Sequence, residues 1–396
     1  MYFVVLCAFF SLYCTSCSAM VRMVSESQIL GLQYLYNDTL GDSWLYQRPG
    51  PEWEFSPPTN PCSPAWQGVI CDCVSSEGGD EECFVTALNL EKYHLQGVIP
   101  DQLSLLSNLT SLRLSENHLN GTNLTFVCGL PLLVELRLHT TRLQGSIPTC
   151  LVDISNFQQL DLDTNNLSGT LPGILGSLAS LSSLDLGANP ELTGTLPTDL
   201  CNAVALKYFK VNGGGLSGTI PSCLWQQSSL TELSLAVNRF TGALPSDANL
   251  PLLRKLHVDG NLLTGTLPAS LLQTSLTLLT VNSNQFTGTL PVLPASMVQL
   301  AADYNSFTGS LFNMRLLPNV QQADFSLNFF SGSLPQDFGG EGGDRALQEF
   351  LAHHNFLTGQ LPESLGNISG LIYLSLDNNM FTGGCLLCLV RSVYIP

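Results

Sequence analysis

One motif recurs thirteen times between Val85 and Phe381 and constrains the fold more than any other feature of the sequence. Its pattern is L-x-x-L-x-L-x-x-N-x-L, as in Leu109-Thr-Ser-Leu-Arg-Leu-Ser-Glu-Asn117-His-Leu119. The alternation of apolar and polar residues in Leu112-Arg113-Leu114 predicts a short strand with one buried face. Successive copies are separated by about 24 residues, and a unit of this length cannot bury its own apolar face and must stack on its neighbours. The sequence therefore predicts a solenoid with a continuous parallel sheet.

A column of asparagines runs through the aligned copies. Because a buried amide must find hydrogen-bond partners, we expect each asparagine to bind backbone groups of the adjacent coil. The exceptions are Tyr93 in the first copy, Thr141 and Gly214, and we expect the ladder to be weaker at the last two. The other ten positions are Asn117, Asn165, Asn189, Asn238, Asn261, Asn284, Asn305, Asn328, Asn355 and Asn379.

A second pattern, L-x-G-x-I/L-P, follows most copies, as in Gly169-Thr-Leu-Pro172 and Gly265-Thr-Leu-Pro268. Glycine allows a turn with positive φ, and proline ends strand pairing. Together the two patterns resemble the plant-type subclass of leucine-rich repeat proteins, from about Cys62 to Gly383. The resemblance implies an α/β leucine-rich repeat solenoid of about 13 repeats of ~24 residues. It also implies a parallel sheet on the concave face, a second short sheet and a twisted array.

The N-terminal part predicts an exported protein with a capped solenoid. Residues 1–19 are apolar and end in small residues, which indicates a signal peptide, although a buried N-terminal helix is the alternative. Ser25 to Tyr36 predicts a short helix with a serine N-cap. This helix would seal the open end of the solenoid as part of an N-terminal cap at 20–84, whose C…W-x-G-V-x-C signature is similar to the cap of plant and protist relatives. We expect the cap tryptophans to cover core leucines.

The cysteines fit the same organisation. Ten of thirteen remain after removal of the signal peptide, an even number typical of disulfide-bonded proteins. The resemblance implies a pair Cys62–Cys71, with Cys73–Cys83 as the natural second pair. Cys128 and Cys150 lie in neighbouring repeats, and Cys201 and Cys223 have the same spacing in equivalent positions. These predict two inter-repeat disulfides, with zinc as the alternative.

The chain's last cysteines, Cys385 and Cys388, follow the repeats and resemble the start of a C-terminal cap. The sequence thus predicts a solenoid at 85–384 followed by an incomplete cap at 385–396. Six sequons suit a secreted glycoprotein. Their acceptor residues are Asn37, Asn108, Asn120, Asn123, Asn166 and Asn367.

The polar positions of the concave strands are the candidate binding residues, because solenoids present these faces to partners. They form neighbouring patches of opposite charge. The candidates are Arg113, Arg137, His139, Asp161, Asp163, Asp185, Tyr208 and Lys210. Two interpretations stay open: a solvated face with self-compensating ion pairs, or a docking surface for a partner of complementary charge.

The net charge and the motif content limit the classes of binding partner and activity that the chain can have. The net charge of −17 argues against nucleic acid and anionic membranes, and favours a protein or peptide ligand with basic character. No catalytic or cofactor-binding fingerprint occurs, so we predict neither an enzyme, a cofactor nor a metal site. The neighbouring His353 and His354 are expected to be solvated or partly packed.

The leading functional hypothesis is extracellular recognition. The chain is similar to the ectodomains of receptor-like kinases and receptor-like proteins, whose concave surface binds peptides or partner ectodomains. No stretch after residue 19 approaches the ~18 apolar residues of a membrane span, so the sequence predicts a secreted or cell-surface location. The alternatives are a secreted inhibitor of a cell-wall-degrading enzyme, like the polygalacturonase-inhibiting proteins, and a structural or adhesive surface protein. The sequence leaves the oligomeric state open.

Overall fold

In the computed structural model the chain forms a solenoid of stacked coils, and the structure describes residues 22–56, 60–75, 81–273, 275–311, 316–338 and 346–383. The predicted signal peptide and C-terminal cap lie outside the described residues. Each coil contributes a short strand to a first parallel sheet, and most coils contribute a second strand to another sheet. The predicted leucine-rich repeat solenoid is confirmed.

The first sheet has 15 strands among the described residues and forms the concave face. Strands are numbered β1 to β27 along the chain. Those of the first sheet are β1 (Arg22–Val24), β2 (Val69–Ser75), β3 (Glu81–Asn89), β4 (Ser111–Arg113), β5 (Glu135–Arg137), β7 (Gln159–Asp161), β10 (Ser183–Asp185), β12 (Tyr208–Lys210), β14 (Glu232–Ser234), β16 (Lys255–His257), β18 (Leu278–Thr280), β20 (Gln299–Ala301), β22 (Gln322–Asp324), β24 (Glu349–Leu351) and β26 (Tyr373–Ser375). All neighbours are parallel except β2, which is antiparallel to β3.

The second sheet follows the asparagines of the coils, as the resemblance implies. Its ten strands are β9 (Gly169–Thr170), β11 (Leu192–Gly194), β13 (Gly215–Thr219), β15 (Arg239–Ala243), β17 (Leu262–Gly265), β19 (Gln285–Gly288), β21 (Ser306–Gly309), β23 (Phe329–Ser333), β25 (Phe356–Gln360) and β27 (Met380–Thr382). A separate pair, β6 (Gln144–Gly145) and β8 (Asn166–Leu167), precedes it along the chain. The register is staggered between coils, so that Thr219, the residue after one glycine, pairs with Thr241, the residue before the next.

The asparagine ladder joins successive coils inside the solenoid. The Asn117 amide oxygen accepts a hydrogen bond from the Leu95 N–H at 2.9 Å, and its nitrogen donates to the carbonyls of Leu90 and Leu114. The other nine asparagines of the column repeat this arrangement, as at Asn355.

At Thr141 and Gly214, where the asparagine is missing, the backbone N–H group that an asparagine would bind in the preceding coil finds another acceptor. At Thr141 the backbone carbonyl accepts from the Leu119 N–H at 3.0 Å, and near Gly214 the Leu192 N–H donates to the Asn189 carbonyl at 3.0 Å. The ladder is weaker there, as expected, since the Thr141 hydroxyl donates to one carbonyl where an amide donates to two, and Gly214 has no side chain to donate. The N–H groups of Leu119 and Leu192 nevertheless keep an acceptor.

The N-terminal cap closes the first coil. Helix α1 (Glu26–Asp38) begins at the Ser25 N-cap, as predicted, and places Leu32 and Leu35 in the core. Its buried Gln28 accepts a hydrogen bond from the Val85 N–H at 2.7 Å, a link that the apolar pattern did not indicate. The cap tryptophans, Trp44, Trp53 and Trp66, are buried against the core leucines, which confirms their predicted packing role.

Four disulfides join the expected cysteines: Cys62–Cys71, Cys73–Cys83, Cys128–Cys150 and Cys201–Cys223. The last two join 3₁₀ helices of adjacent coils on the outer side. The 3₁₀ helices in the described part of the chain span Gly41–Ser43, Asp101–Leu105, Thr125–Gly129, Thr149–Asp153, Gly173–Ser177, Thr198–Asn202, Ser222–Gln226, Ala269–Gln273 and Glu363–Asn367. Across the described part of the chain, no helix has the length and apolar character needed to cross a membrane.

Candidate binding surface

The register of the concave sheet brings all eight candidate residues onto one continuous face. Arg113, Arg137, Asp161, Asp185 and Lys210 are direct cross-strand neighbours in that order. Adjacent strands are about 4.8 Å apart. Charges that are one repeat apart in the sequence therefore interact directly.

The positive charge at the arginine end of this face is partly neutralised by a residue outside the candidate set. Glu135 lies between the two arginines, 2.7 Å from Arg113 and 2.5 Å from Arg137. Burial alone would raise the pKa of Glu135, but hydrogen bonds from Arg113 and Ser111 and the charge of Arg137 hold that pKa below its ordinary value. Three charges thus form one ion-pair cluster with a single excess positive charge, as the self-compensating interpretation expected.

The centre of the face is acidic. Asp161, Asp163 and Asp185 lie on two adjacent coils, and the backbone N–H groups of Asp163 and Gly187 donate to Asp161 and Asp185 at 3.3 and 3.1 Å. Within the described ranges, neither Asp161 nor Asp163 has a cationic side chain within 4.0 Å. The lack of a side chain at Gly187 keeps this region open, since a Cβ there would lie 2.7 Å from the Asp163 carboxylate.

Burial makes the carboxylates of Asp161 and Asp185 costly to ionise. It raises the pKa of Asp185 to about 6, and the charges of Asp163 and Asp161 add to the effect. Burial also raises the pKa of Asp161, and the nearby Asp163 charge acts in the same direction. The acidic centre therefore carries negative charge at neutral pH without full compensation from the protein.

Lysines close the other side of the acidic centre. Lys210 lies 3.8 Å from Asp185 and 3.0 Å from Glu232, and Glu232 is also 3.4 Å from Lys255. Tyr208, on the same strand as Lys210, leaves 44% of its surface exposed beside these charges. Glu232 and Glu135 both lie at the first position of their strands, whereas the charged candidates within strands all lie at the last position. Comparison along the first strand position, from Ser111 to Glu135 and from Tyr208 to Glu232, would have found both.

The remaining candidates occupy accessible positions. His139 follows β5, and its N–H donates to the Ser115 hydroxyl at 3.2 Å. Five of the six sequon asparagines are exposed, and Asn108 is half-buried. Glycosylation at these positions stays a prediction.

The second sheet presents a regular hydroxyl array that the sequence analysis did not single out. Two columns flank the glycine of the L-x-G-x-I/L-P pattern, and neither column contains a charged residue. From Gly169 onward, the column before the glycine consists of Ser168, Thr193, Ser217, Thr241, Thr264, Thr287, Thr308, Ser331, Thr358 and Thr382, and the column after it has Thr170, Thr195, Thr219, Thr266, Thr289, Ser310 and Ser333, with Ala243 and Gln360 as exceptions. All residues of the second column are exposed.

Packing fixes the threonines of the second column. A Cβ built on Gly288 would lie 2.8 Å from the Cγ2 methyl of Thr266, and Gly309 has the same relation to Thr289. Because the methyl group lies over the next coil's glycine, the hydroxyl is directed elsewhere. These glycines also have positive φ, +78° at Gly288 and +85° at Gly309. The glycine is thus needed for both its backbone conformation and its missing side chain.

Comparisons with known proteins agree with this architecture. The family model of the Leucine Rich Repeat matches residues 156–178, which is one coil. The comparison with curated proteins finds no match. Among solved structures, the leucine-rich repeat ectodomain of the plant membrane receptor kinase GASSHO1/SCHENGEN3 from Arabidopsis thaliana, in complex with CASPARIAN STRIP INTEGRITY FACTOR 2, is similar over 92% of this chain, with a TM-score of 0.70 and 26% identity.

Two further structures share the fold. A TDR receptor is similar over 78% of this chain, with a TM-score of 0.65 and 24% identity, and a plant ice-binding protein over 93%, with a TM-score of 0.57 and 21% identity. The matches cover 49% of the GASSHO1/SCHENGEN3 ectodomain, 64% of the TDR receptor and 98% of the ice-binding protein. This chain thus spans about half the length of the first receptor ectodomain. The repeated coils, the two parallel sheets and the matching repeat model show that the chain has the leucine-rich repeat fold, similar to that of a plant receptor ectodomain.

Proposed function

We propose that the chain is an extracellular binding module whose concave face recognises a basic peptide or a basic segment of a protein. The observation that carries this proposal is the acidic centre formed by Asp161, Asp163 and Asp185. Burial raises the pKa of two of these carboxylates, and among the described residues the one cationic side chain within 4.0 Å of the three is Lys210, 3.8 Å from Asp185. A guanidinium or ammonium group of a ligand would lower the cost of that negative charge.

The surroundings favour a peptide over a single small cation. The ion-pair clusters centred on Glu135 and Glu232 flank the acidic centre on both sides and limit where a cation can bind. The exposed ring of Tyr208 offers an apolar contact beside the charges, and aromatic residues commonly anchor partners. The disulfides and the likeness to a receptor ectodomain solved with its bound factor support an extracellular setting.

Binding of a fluorescently labelled peptide of alternating arginine and glycine tests the proposal. We expect saturable binding at low ionic strength that weakens with added salt. Asp161→Asn and Asp185→Asn should each weaken binding about 10- to 150-fold, since each removes a charge-assisted hydrogen bond of about 1.5–3 kcal/mol. Asp153→Asn, the same charge change at an exposed outer position, is the matched control and should leave the affinity unchanged.

The dependence on pH supplies a second test. Because the pKa of Asp185 is about 6, binding should weaken as the pH falls through that value. The Asp185→Asn variant should lose this part of the dependence. If the three aspartate variants weaken binding equally, the attraction reflects the net charge of the whole chain, and the acidic centre is not the binding site.

A second candidate function, ice binding, is supported by the hydroxyl array of the second sheet. Ice presents water molecules in a repeating lattice. Hydroxyl and methyl groups repeated about every 4.8 Å can order water without the firmly held hydration shells of charged groups. The first-column hydroxyl of Thr193 donates to the Gly169 carbonyl of the preceding coil at 3.4 Å, and Thr287 makes the same bond to Gly265 at 3.3 Å. The likeness to a plant ice-binding protein concerns the fold alone.

Ice recrystallisation and thermal hysteresis assays test this candidate. We expect both activities in the wild-type chain, and their loss in a Thr266→Lys, Thr289→Lys double variant, because the new charges interrupt the array. Thr198→Lys, at an exposed outer helix, controls for charge and should have no effect. Absence of both activities in the folded wild-type protein would exclude ice binding and would leave the concave-face proposal untouched.

A further inference from the structure

Two histidines and an aspartate converge near the C-terminal end of the concave side. His353 and His354 follow strand β24, and Asp377 follows the neighbouring strand β26. The Nδ1 atoms of the two histidines are 2.9 Å apart, and all three potential ligand atoms lie within 4.8 Å of one another. From the sequence, the two histidines were expected to be solvated or partly packed, and no metal site was predicted. Asp377, in the next coil, occupies the position one repeat after His353.

The backbone of the coil produces this convergence. Consecutive side chains of an extended strand point to opposite faces, but His354 has a left-handed conformation with φ of +53°. The chain therefore turns at this point, and both imidazole rings approach the same space. The Leu327 N–H donates to the His353 carbonyl, and the His354 N–H donates to the Asp377 carbonyl, each at 3.0 Å. The second of these bonds joins the two coils of the cluster, and the first joins the histidine coil to the preceding coil.

The donor atoms suit a transition-metal ion. A hydrogen bond between the two Nδ1 atoms places one proton between them, and a metal ion that replaces this proton would be bound by the lone pairs of both nitrogens, with the proton released to solvent. The Asp377 carboxylate accepts hydrogen bonds from the Ser375 hydroxyl at 2.6 Å and from the Asn378 amide at 2.7 Å, which orient it as outer partners orient metal ligands. Two imidazole nitrogens and one carboxylate oxygen are a donor set for zinc and similar divalent ions.

We propose that His353, His354 and Asp377 form a surface site for a zinc ion. Zinc–ligand bonds of about 2.0–2.2 Å place neighbouring ligand atoms about 3–3.5 Å apart. The spacing in the structure therefore needs only small side-chain rotations. His354 and Asp377 are exposed, so the remaining coordination position faces solvent and takes a water molecule or a ligand atom of a partner.

Another histidine pair in the chain provides an internal comparison. The rings of His94 and His118 come from adjacent coils and lie 5.7 Å apart, in edge-to-face contact. In the described part of the chain, no carboxylate or cysteine joins this pair in a three-ligand group, in contrast to His353 and His354. His94 and His118 therefore serve as a control that has two imidazoles and no carboxylate. If zinc bound at any pair of surface histidines, substitution of His94 would also weaken zinc binding.

Isothermal titration of the untagged full chain with zinc chloride tests the proposal. We expect one zinc ion per chain, at least about tenfold weaker binding in His353→Gln and Asp377→Asn, and unchanged binding in His94→Gln. Zinc should raise the melting temperature of the wild type and of His94→Gln, but not of Asp377→Asn. The melting temperature without zinc shows whether each variant is folded.

Cobalt as a spectroscopic substitute identifies the ligand atoms. Nitrogen and oxygen ligation gives weak visible bands without the intense thiolate charge-transfer absorption that a site at Cys385 and Cys388 would produce. The proposal is overturned if the folded His353→Gln and Asp377→Asn variants bind zinc as tightly as the wild type, if no binding is detected, or if the cobalt spectrum is that of a thiolate site. None of these results affects the proposed peptide binding, which depends on residues in other coils.

Discussion

Replacing Asp303 with asparagine should stabilise the folded chain at neutral pH. Asp303 follows β20 on the concave side, and burial raises its pKa to about 6, with the charges of Asp324 and Asp259 acting in the same direction. Across the described ranges, no cationic side chain lies within 4.0 Å of its carboxylate. Ionisation of Asp303 therefore costs free energy in the folded state, and an amide of nearly the same shape avoids that cost.

The magnitude follows from linkage between protonation and folding. An unfolded aspartate has a pKa of about 3.9, so the shift is about two pH units, equivalent to about 3 kcal/mol. Asp303 is only half-buried, and solvent screening reduces the expected effect to about 1–2 kcal/mol. Because the folded pKa is raised, the wild type should match the variant below about pH 4 and lose stability as the pH rises to about 6. Above about pH 6, the difference in free energy of unfolding between the wild type and the variant should stay constant.

Urea unfolding followed by circular dichroism, at about pH 4 and about pH 7, measures this difference. Asp153→Asn is the control and should change the free energy of unfolding by less than about 0.5 kcal/mol at both pH values. The reasoning is refuted if Asp303→Asn has the same effect at both pH values, or if it destabilises the chain at neutral pH. The second result would mean that the carboxylate has a stabilising partner after all.

Four further substitutions test other parts of the fold by the same assay. Gly288→Ala and Gly121→Ala both force alanine into a φ near +78°, which should lower the free energy of unfolding by about 1–2 kcal/mol. Only the new methyl group at position 288 meets a neighbour, the Thr266 methyl at 2.8 Å. Gly288→Ala should therefore cost about 1 kcal/mol more, and equal costs would contradict the steric argument. Asn165→Ala should cost about 2–4 kcal/mol by leaving backbone groups of two coils unpaired, and a cost below that of an exposed substitution would show that water replaces the amide. Glu135→Gln should cost about 1–2 kcal/mol at neutral pH. Because the pKa of Glu135 is lowered in the folded state, the stability that Glu135 contributes should be lost as the pH falls below about 4.3. A loss of that stability on raising the pH would contradict this assignment.

Much of the fold could be predicted because each coil repeats the same local solution. The leucine spacing predicted the strands, the asparagine column predicted the ladder, and the shared cysteine spacing predicted the inter-repeat disulfides between Cys128 and Cys150 and between Cys201 and Cys223. The pairing of Cys62 with Cys71 came from the resemblance instead. Sequence patterns succeed here because a residue's neighbours are known once the period is known.

The candidate site was predicted less completely, for two physical reasons. First, the partner of a charged side chain depends on side-chain reach across strands, so Glu135 was overlooked although it lies one period after Ser111. Second, the convergence of His353 and His354 depends on a left-handed residue, which an alternating strand pattern does not reveal. The hydroxyl array was missed for a different reason: the residues beside the glycine had been considered only for their part in the turn.

The geometry of the solenoid makes the binding proposal testable without knowledge of the natural partner. A ligand that lies along the concave sheet contacts residues of neighbouring coils, so its contacts must recur once per repeat in the sequence and lie on the same strand position. Substitutions at Arg137, Asp161, Asp185 and Lys210, which are consecutive cross-strand neighbours, should therefore affect binding as a continuous group. Substitutions in the second sheet at the same coils, such as Thr193→Lys, should not. If sensitivity instead follows the coil and not the strand position, the partner wraps around the outside of the solenoid, and the concave acidic centre is not what it recognises.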